Sequence, residues 1–129
     1  MRIAHFSLVV REYDEAIAWF TGKLGFRVVE DTRLTDTKRW VLVSPPGDGH
    51  TSIVLGRAVG AAQLAAVGNQ TGGRVAFFLQ TDDFDRDHRA FRARGVEFME
   101  SPRTEEYGTV AVFRDLYGNR WDLIEYRPV

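Results

Sequence analysis

Apolar and polar positions follow one order twice along the chain. Ile3–Val10 alternates as an extended segment does, and Asp14–Lys23 carries Ile17, Phe20 and Leu24 at three- and four-residue spacing with Leu24 just beyond it. That spacing predicts an amphipathic helix, and Gly25–Glu30 reads as the next strand. About 70 residues later the order returns as strand Arg74–Gln80, helix Asp83–Arg94 and strand Gly95–Glu100. Gly25 and Gly95 occupy equivalent places, where a left-handed cap ends a helix before an extended segment.

Each half continues with two more predicted strands. They are Arg39–Val43 and Thr51–Leu55 in the first, and Thr109–Phe113 and Arg120–Glu125 in the second. Ser44-Pro45-Pro46-Gly47-Asp48-Gly49 separates one pair and Asp115-Leu116-Tyr117-Gly118-Asn119 the other, both with turn chemistry. The expected class is α+β, one domain over residues 1–129 built from two βαβββ modules, 1–56 and 73–129. Residues 57–72, rich in Ala and Gly with a short helix expected at Ala61–Val67, form the connection.

Charge agrees with the two helices. Asp14 is expected to cap the first. The second runs from Asp82, Asp83 and Asp85 to Arg89, Arg92 and Arg94, the order that suits a helix dipole. Phe84 and Phe91 form its packing stripe, with His88 between them as a packed histidine.

Composition then narrows the chemistry. The chain has 129 residues, 17 basic and 18 acidic, so no electrostatic footprint for nucleic acid or an anionic membrane is present. The longest apolar runs, Ala16–Phe20 and Val75–Leu79, are five residues each, against the ~20 needed to cross a bilayer. With no signal-peptide pattern at the start, a cytoplasmic location is expected. The absence of Cys excludes disulfides, thiolate metal sites and a cysteine nucleophile, leaving His5, His50, His88 and carboxylates for any metal. His50 falls in a turn and is expected to be solvated.

Two such modules, His5 on the first strand, Leu24-Gly25-Phe26 after the first helix, and above all Phe113–Glu125 with its D-x-x-G-N turn entering a carboxylate-bearing strand resemble the vicinal oxygen chelate superfamily of glyoxalases, bleomycin-resistance proteins and extradiol dioxygenases. The resemblance covers essentially the whole chain. It implies a curved mixed sheet around a central pocket, a small-molecule ligand, and a homodimer. It also implies metal ligands on the first and last strands of each module. Those positions fall on His5, on Ile53 or Val54, on Arg74 (or Val75 one residue on), and on Asp122.

Only two of these can bind a metal, where a divalent ion needs three or more convergent donors. No cofactor is therefore expected, the alternative being a divalent metal held by His5 and Asp122 with further ligands. Arg74 suits gripping a carboxylate or phosphate in the same pocket, or else pairs with Asp122. Glu125, three residues after Asp122, falls on the opposite strand face, with Trp121 and Leu123. Trp40, Phe78 and Tyr107 are the aromatic candidates for the pocket wall. Trp40 and Phe78 have a core role as the alternative, the favoured one for Phe78, and Tyr107 lies in a turn.

The leading expectation is a protein holding a small polar or anionic metabolite with His5, Trp40, Arg74, Phe78, Tyr107 and Asp122. If it is catalytic, His5 or Asp122 is the general base. The alternatives are a metal-dependent glyoxalase-type lyase or dioxygenase using His5 and Asp122, and a non-catalytic protein that sequesters an antibiotic.

Overall fold

The structure, a computed structural model, describes residues 1–47 and 49–128, so Asp48 of the first expected turn lies outside the described residues. The chain divides between Gly68 and Asn69, inside the expected connection. In the first unit the elements are β1 (His5–Val10), α1 (Tyr13–Leu24), β2 (Arg27–Arg33), β3 (Arg39–Ser44), β4 (Ser52–Arg57) and α2 (Gly60–Ala66). The second unit contains β5 (Val75–Gln80), α3 (Phe84–Ala93), β6 (Glu97–Phe98), β7 (Arg103–Glu105), β8 (Gly108–Arg114) and β9 (Arg120–Tyr126).

The first sheet has the order β1-β4-β3-β2. β2, β3 and β4 form an antiparallel meander, and β4 returns to pair with β1 in parallel. Leu8, Val10, Val41, Val43, Ile53 and Leu55 are buried. They share the face that α1, lying against β2, β3 and β4, covers. The buried stripe of α1 is Tyr13, Ala16, Phe20 and Leu24. Ile17 sits at its edge, so the apolar face is rotated slightly from the one the spacing predicts.

Asp14 does not cap α1. The N-cap position is Glu12, which makes no side-chain cap bond, and Asp14 in the first turn pairs instead with Arg39 Nη1 at 2.7 Å. Arg39 also meets Asp31 through Nη2 at 2.7 Å, and its backbone N–H donates to the Tyr13 hydroxyl. The helix begins at Tyr13, ahead of Asp14, so Asp14 lies inside the first turn and its carboxylate meets a strand arginine instead of a capping amide.

The second sheet repeats the plan, with β5, β9, β8 and β6 in order and β5–β9 again parallel. Its core is aromatic where the first is largely aliphatic. Trp121 packs on Phe77 at 4.3 Å between ring centroids and on Phe113 at 5.7 Å, and Phe113 meets Phe91 and Phe98 at 5.7 and 5.5 Å. His88 is packed as expected, between Phe84 at 5.3 Å and Phe98 at 4.5 Å.

The repeat departs from expectation at one place. The strand equivalent to β2 is broken into β6 and β7, both paired to β8, so the second unit is not a simple βαβββ. Pro102, which has no N–H to donate, lies at the break. There the Glu100 carboxylate takes the place of a ladder acceptor, accepting the Val112 N–H at 2.9 Å. In the first unit, β2 begins at Arg27 rather than Gly25 and runs on to Arg33.

Asp115 organises the turn between β8 and β9. Its Oδ1 accepts the backbone N–H groups of Tyr117, Gly118 and Asn119 at 3.0–3.1 Å, and its Oδ2 accepts from Asn119 Nδ2 and Trp121 Nε1. A buried carboxylate with five donors is fully satisfied. The D-x-x-G-N sequence thus sets the register of β9 and the side on which Asp122 emerges.

Candidate functional site

Four of the predicted site residues, His5, Trp40, Phe78 and Asp122, lie on the sheet face opposite the core of their unit. On the first sheet that face presents His5 and Trp40, with ring centroids 6.0 Å apart and planes at 76°. His5 is exposed and pairs in register with Ser52 on β4. Continuing the β3–β4 register brings Ser44 opposite Ser52, and Ser44 Oγ is buried without a hydrogen-bond partner. A row of small hydroxyl residues therefore runs across the sheet from His5.

On the second sheet the decisive residues are Phe78 and Asp122. A bulge near Val75–Phe77 shifts the β5 register, so Phe78 rather than Phe77 pairs with Asp122 on β9. Paired residues of adjacent strands point to the same side. Phe78 is 63% exposed, which corrects its expected core role: Phe77 fills the core against Trp121, and the bulge turns the next ring outward. Arg74, Val75 and Phe78 line an open depression of about 620 Å³.

Asp122 is 9% exposed, and its Oδ1 has no hydrogen-bond partner. Burial pushes its carboxyl above the ordinary value of 3.8; the Arg103 charge works against this rise and the Glu100 charge adds to it. Arg103 on β7 is itself clamped. Its Nε donates to Glu100 at 2.8 Å and its Nη1 to Glu105 at 2.7 Å. Those bonds, with a further one to Tyr107, hold it more firmly charged than a free arginine.

Tyr107 lies in the β7–β8 turn as expected, exposed, with its ring 6.4 Å from that of Tyr126. Arg74 does not pair with Asp122. It is an exposed residue at the bend before β5, and among the described residues it forms no ion pair. The register explains why: Asp122 lies opposite Phe78, four residues further along the strand.

Arg103, Glu100 and Glu105 were not singled out by sequence reasoning. The signal that could have found them is the alternation of Arg103 and Glu105 on one strand face. Pro102 and the shortness of β7 hide it. Glu125 does fall on the opposite face from Asp122, and there it accepts the Phe84 N–H at the start of α3.

The donor chemistry does not fit a divalent ion. Among the described residues no group of three or more His, Asp or Glu is gathered as metal ligands. On the second sheet the carboxylate at the ligand position is attended by a permanently charged guanidinium. The last-strand position of the first sheet, Ile53 or Val54, carries no donor.

Two α+β units, each with a parallel first-to-last strand pair, a meander and a helix on one face, define a paired-module protein with its polar groups on the opposite sheet faces. The chain belongs to the Glyoxalase/Bleomycin resistance protein/Dioxygenase superfamily, whose sequence profile matches residues 2–123. This is the vicinal oxygen chelate fold.

An uncharacterized protein of Shewanella frigidimarina (strain NCIMB 400) is 51% identical over 124 residues, which cover 95% of this chain and 92% of that protein. Among solved structures, UcmS2 matches at a TM-score of 0.84 and 28% identity, over 96% of this chain and 97% of that one. TnmS3, an antibiotic binding protein from Streptomyces sp. CB03234, matches at 0.78 and 26%, over 98% and 97%. No helix among the described residues is long and apolar enough to cross a membrane.

Proposed function

We propose that this chain is a metal-independent small-molecule-binding protein. Its ligand combines an aromatic or apolar surface with polar substituents and rests against Phe78, on the face of the second sheet opposite Trp121. One observation carries the reading: Phe78, largely exposed, stands in register beside Asp122, buried with an unpartnered oxygen. An exposed aromatic ring and an unsatisfied buried carboxylate both raise the free energy of the empty face, and a ligand that stacks and hydrogen-bonds relieves both. The volume beside Phe78 supports this, being within the range of about 300–1,000 Å³ typical of small-molecule sites. The likeness to an antibiotic binding protein favours sequestration over turnover.

Arg74, at the rim of that depression, is the group that takes an anionic substituent. His5 and Trp40 are a second polar–aromatic pair for ligand contact. The family resemblance extends the proposal to a homodimer in the cytoplasm.

A second reading has one specific observation in its favour. The raised carboxyl of Asp122 moves toward the range where a general acid or base works, so removal of a proton alpha to a carbonyl is the catalytic alternative.

Calorimetric titration with panels of planar aromatic antibiotics and of small carboxylates, with and without EDTA, tests the proposal. The expected result is saturable, EDTA-insensitive binding of an aromatic compound that Phe78→Ala weakens about tenfold or more, a loss of roughly 1.4 kcal/mol. Binding that requires a stoichiometric metal, or that Phe78→Ala leaves unchanged, overturns it. Turnover abolished by Asp122→Asn decides for the catalytic alternative.

A further inference from the structure

The face of the second sheet that carries Asp122 is electrically divided along β9. Asp122 lies within electrostatic reach of the Glu100 carboxylate and the Arg103 guanidinium, and Arg103 in turn holds Glu105. Arg103 is held by Glu100 at 2.8 Å through Nε and by Glu105 at 2.7 Å through Nη1, so its charge is matched by these two groups before any incoming anion meets it. Glu100 is fixed a second time by the Val112 N–H, on the residue that pairs with Asp122. The Glu100–Arg103–Glu105 triad therefore carries a net negative charge in a fixed geometry, beside a carboxylate oxygen that lacks a donor.

The other end of the face is basic. Arg120 lies two residues before Asp122, and by strand alternation on the same side, in register with Val75. Arg74 adjoins Val75 at the depression. Both arginines are exposed, and among the described residues neither forms an ion pair with a carboxylate. Phe78 stands level with Asp122 on the neighbouring strand, four residues beyond Arg74, roughly 13 Å along an extended strand.

We propose that the ligand group seated at Asp122 is a hydrogen-bond donor, neutral or cationic, such as an amidinium, an amine or a hydroxyl. A carboxylate or phosphate is rejected there and directed to Arg74 and Arg120. The inference rests on the reading of this face as the ligand site and adds its polarity. A like charge placed against the acidic end stays unpaired in a partly desolvated position, which is how an interface discriminates between ligands of one shape.

The test uses three probes of one shape and different charge, benzamidinium, benzamide and benzoate, titrated into the full chain and followed residue by residue through backbone amide resonances. Benzamidinium is expected to shift Phe78, Asp122 and Val112 with an affinity at least about tenfold above that of benzoate at those positions. Benzoate is expected to shift Val75 and Arg120 instead. Asp122→Asn, of the same shape, should abolish the preference. Phe78→Ala, at an exposed position that leaves the core intact, should weaken all three probes. If benzoate shifts Asp122 and Val112 as tightly as benzamidinium, the charge assignment falls while the ligand face stands. If no probe shifts any of these residues, the ligand face falls and the polarity with it.

Discussion

The carboxylate of Glu125 on β9 accepts the backbone N–H of Phe84, the first residue of α3, at 2.7 Å. The N-cap residue Asp83 satisfies a second amide, that of Arg86, at 3.0 Å. A helix terminus exposes amides that its own backbone cannot satisfy, and here one partner comes from the adjacent sheet. Glu125 thus ties α3 to β9, while Asp122, three residues earlier, faces the other way. Glu125→Ala should lower stability by about 1 kcal/mol, as loss of a capping group does. Urea unfolding measures this, and ligand affinity should not change. A Glu125→Ala protein of unaltered stability would show that Asp83 alone suffices.

Asp115 is more demanding. Removing its side chain leaves three backbone and two side-chain donors without their acceptor in a buried turn. Asp115→Ala should cost about 3 kcal/mol or more. Asp115→Asn, which keeps one acceptor oxygen, should cost less. Thermal and urea denaturation of the pair give the ranking, and equal losses would contradict this account of the turn.

Gly108 opens β8 with φ +152°, and a Cβ placed there would be driven into the backbone carbonyl of Glu125. Because that carbonyl belongs to the paired strand β9, nothing flexible can move aside. Gly108→Ala should therefore destabilise by more than about 2 kcal/mol, through strain and a displaced strand pair. Amide exchange across β8 and β9 should rise beyond that elsewhere in the unit; an unchanged exchange pattern would refute the prediction.

Asp122 contributes a pH dependence of definite sign. Burial raises its carboxyl in the folded protein, so the protonated form is the one folding favours. Its contribution is fully present below the ordinary value of 3.8 and is lost as pH rises through the folded value. At neutral pH the ionised group is a burden, and Asp122→Asn should raise the melting temperature there. That advantage should shrink as pH falls toward 4. A variant less stable than the parent at pH 7 would mean that the ionised carboxylate is satisfied.

His88 works at the other end of the scale. Burial between Phe84 and Phe98, and then the Arg92 charge, lower its value below 6.5, with Asp85 opposing. A depressed histidine contributes stability above the unfolded value near 6.5 and loses it as pH falls through the folded value. His88→Phe should flatten the stability–pH curve just below 6.5. An identical acid slope in parent and variant would remove His88 as the cause.

The repeat of elements, the two amphipathic helices, the glycines that end them and the D-x-x-G-N turn could be read from the residues alone. They depend on local spacing and turn chemistry: Phe84 and Phe91 recur on one helix face, and Gly25 and Gly95 adopt φ of +70° and +87°. The opposite facing of Asp122 and Glu125 follows from strand alternation. The details of the site were set elsewhere. A bulge in β5 decides that Phe78 faces outward, beside Asp122, and the strand register as a whole leaves Arg74 too far along to pair with it. Alternation cannot foresee an extra residue in a strand. Pro102 breaks a strand in two and frees Glu100 to bridge the gap and, with Glu105, to clamp Arg103. Asp14, inside the first turn of α1, pairs with Arg39, 25 residues away in sequence. Local sequence therefore determined the elements and their faces. Tertiary structure decided which charges meet, because strand register and contacts between distant residues are set only when the sheet is assembled.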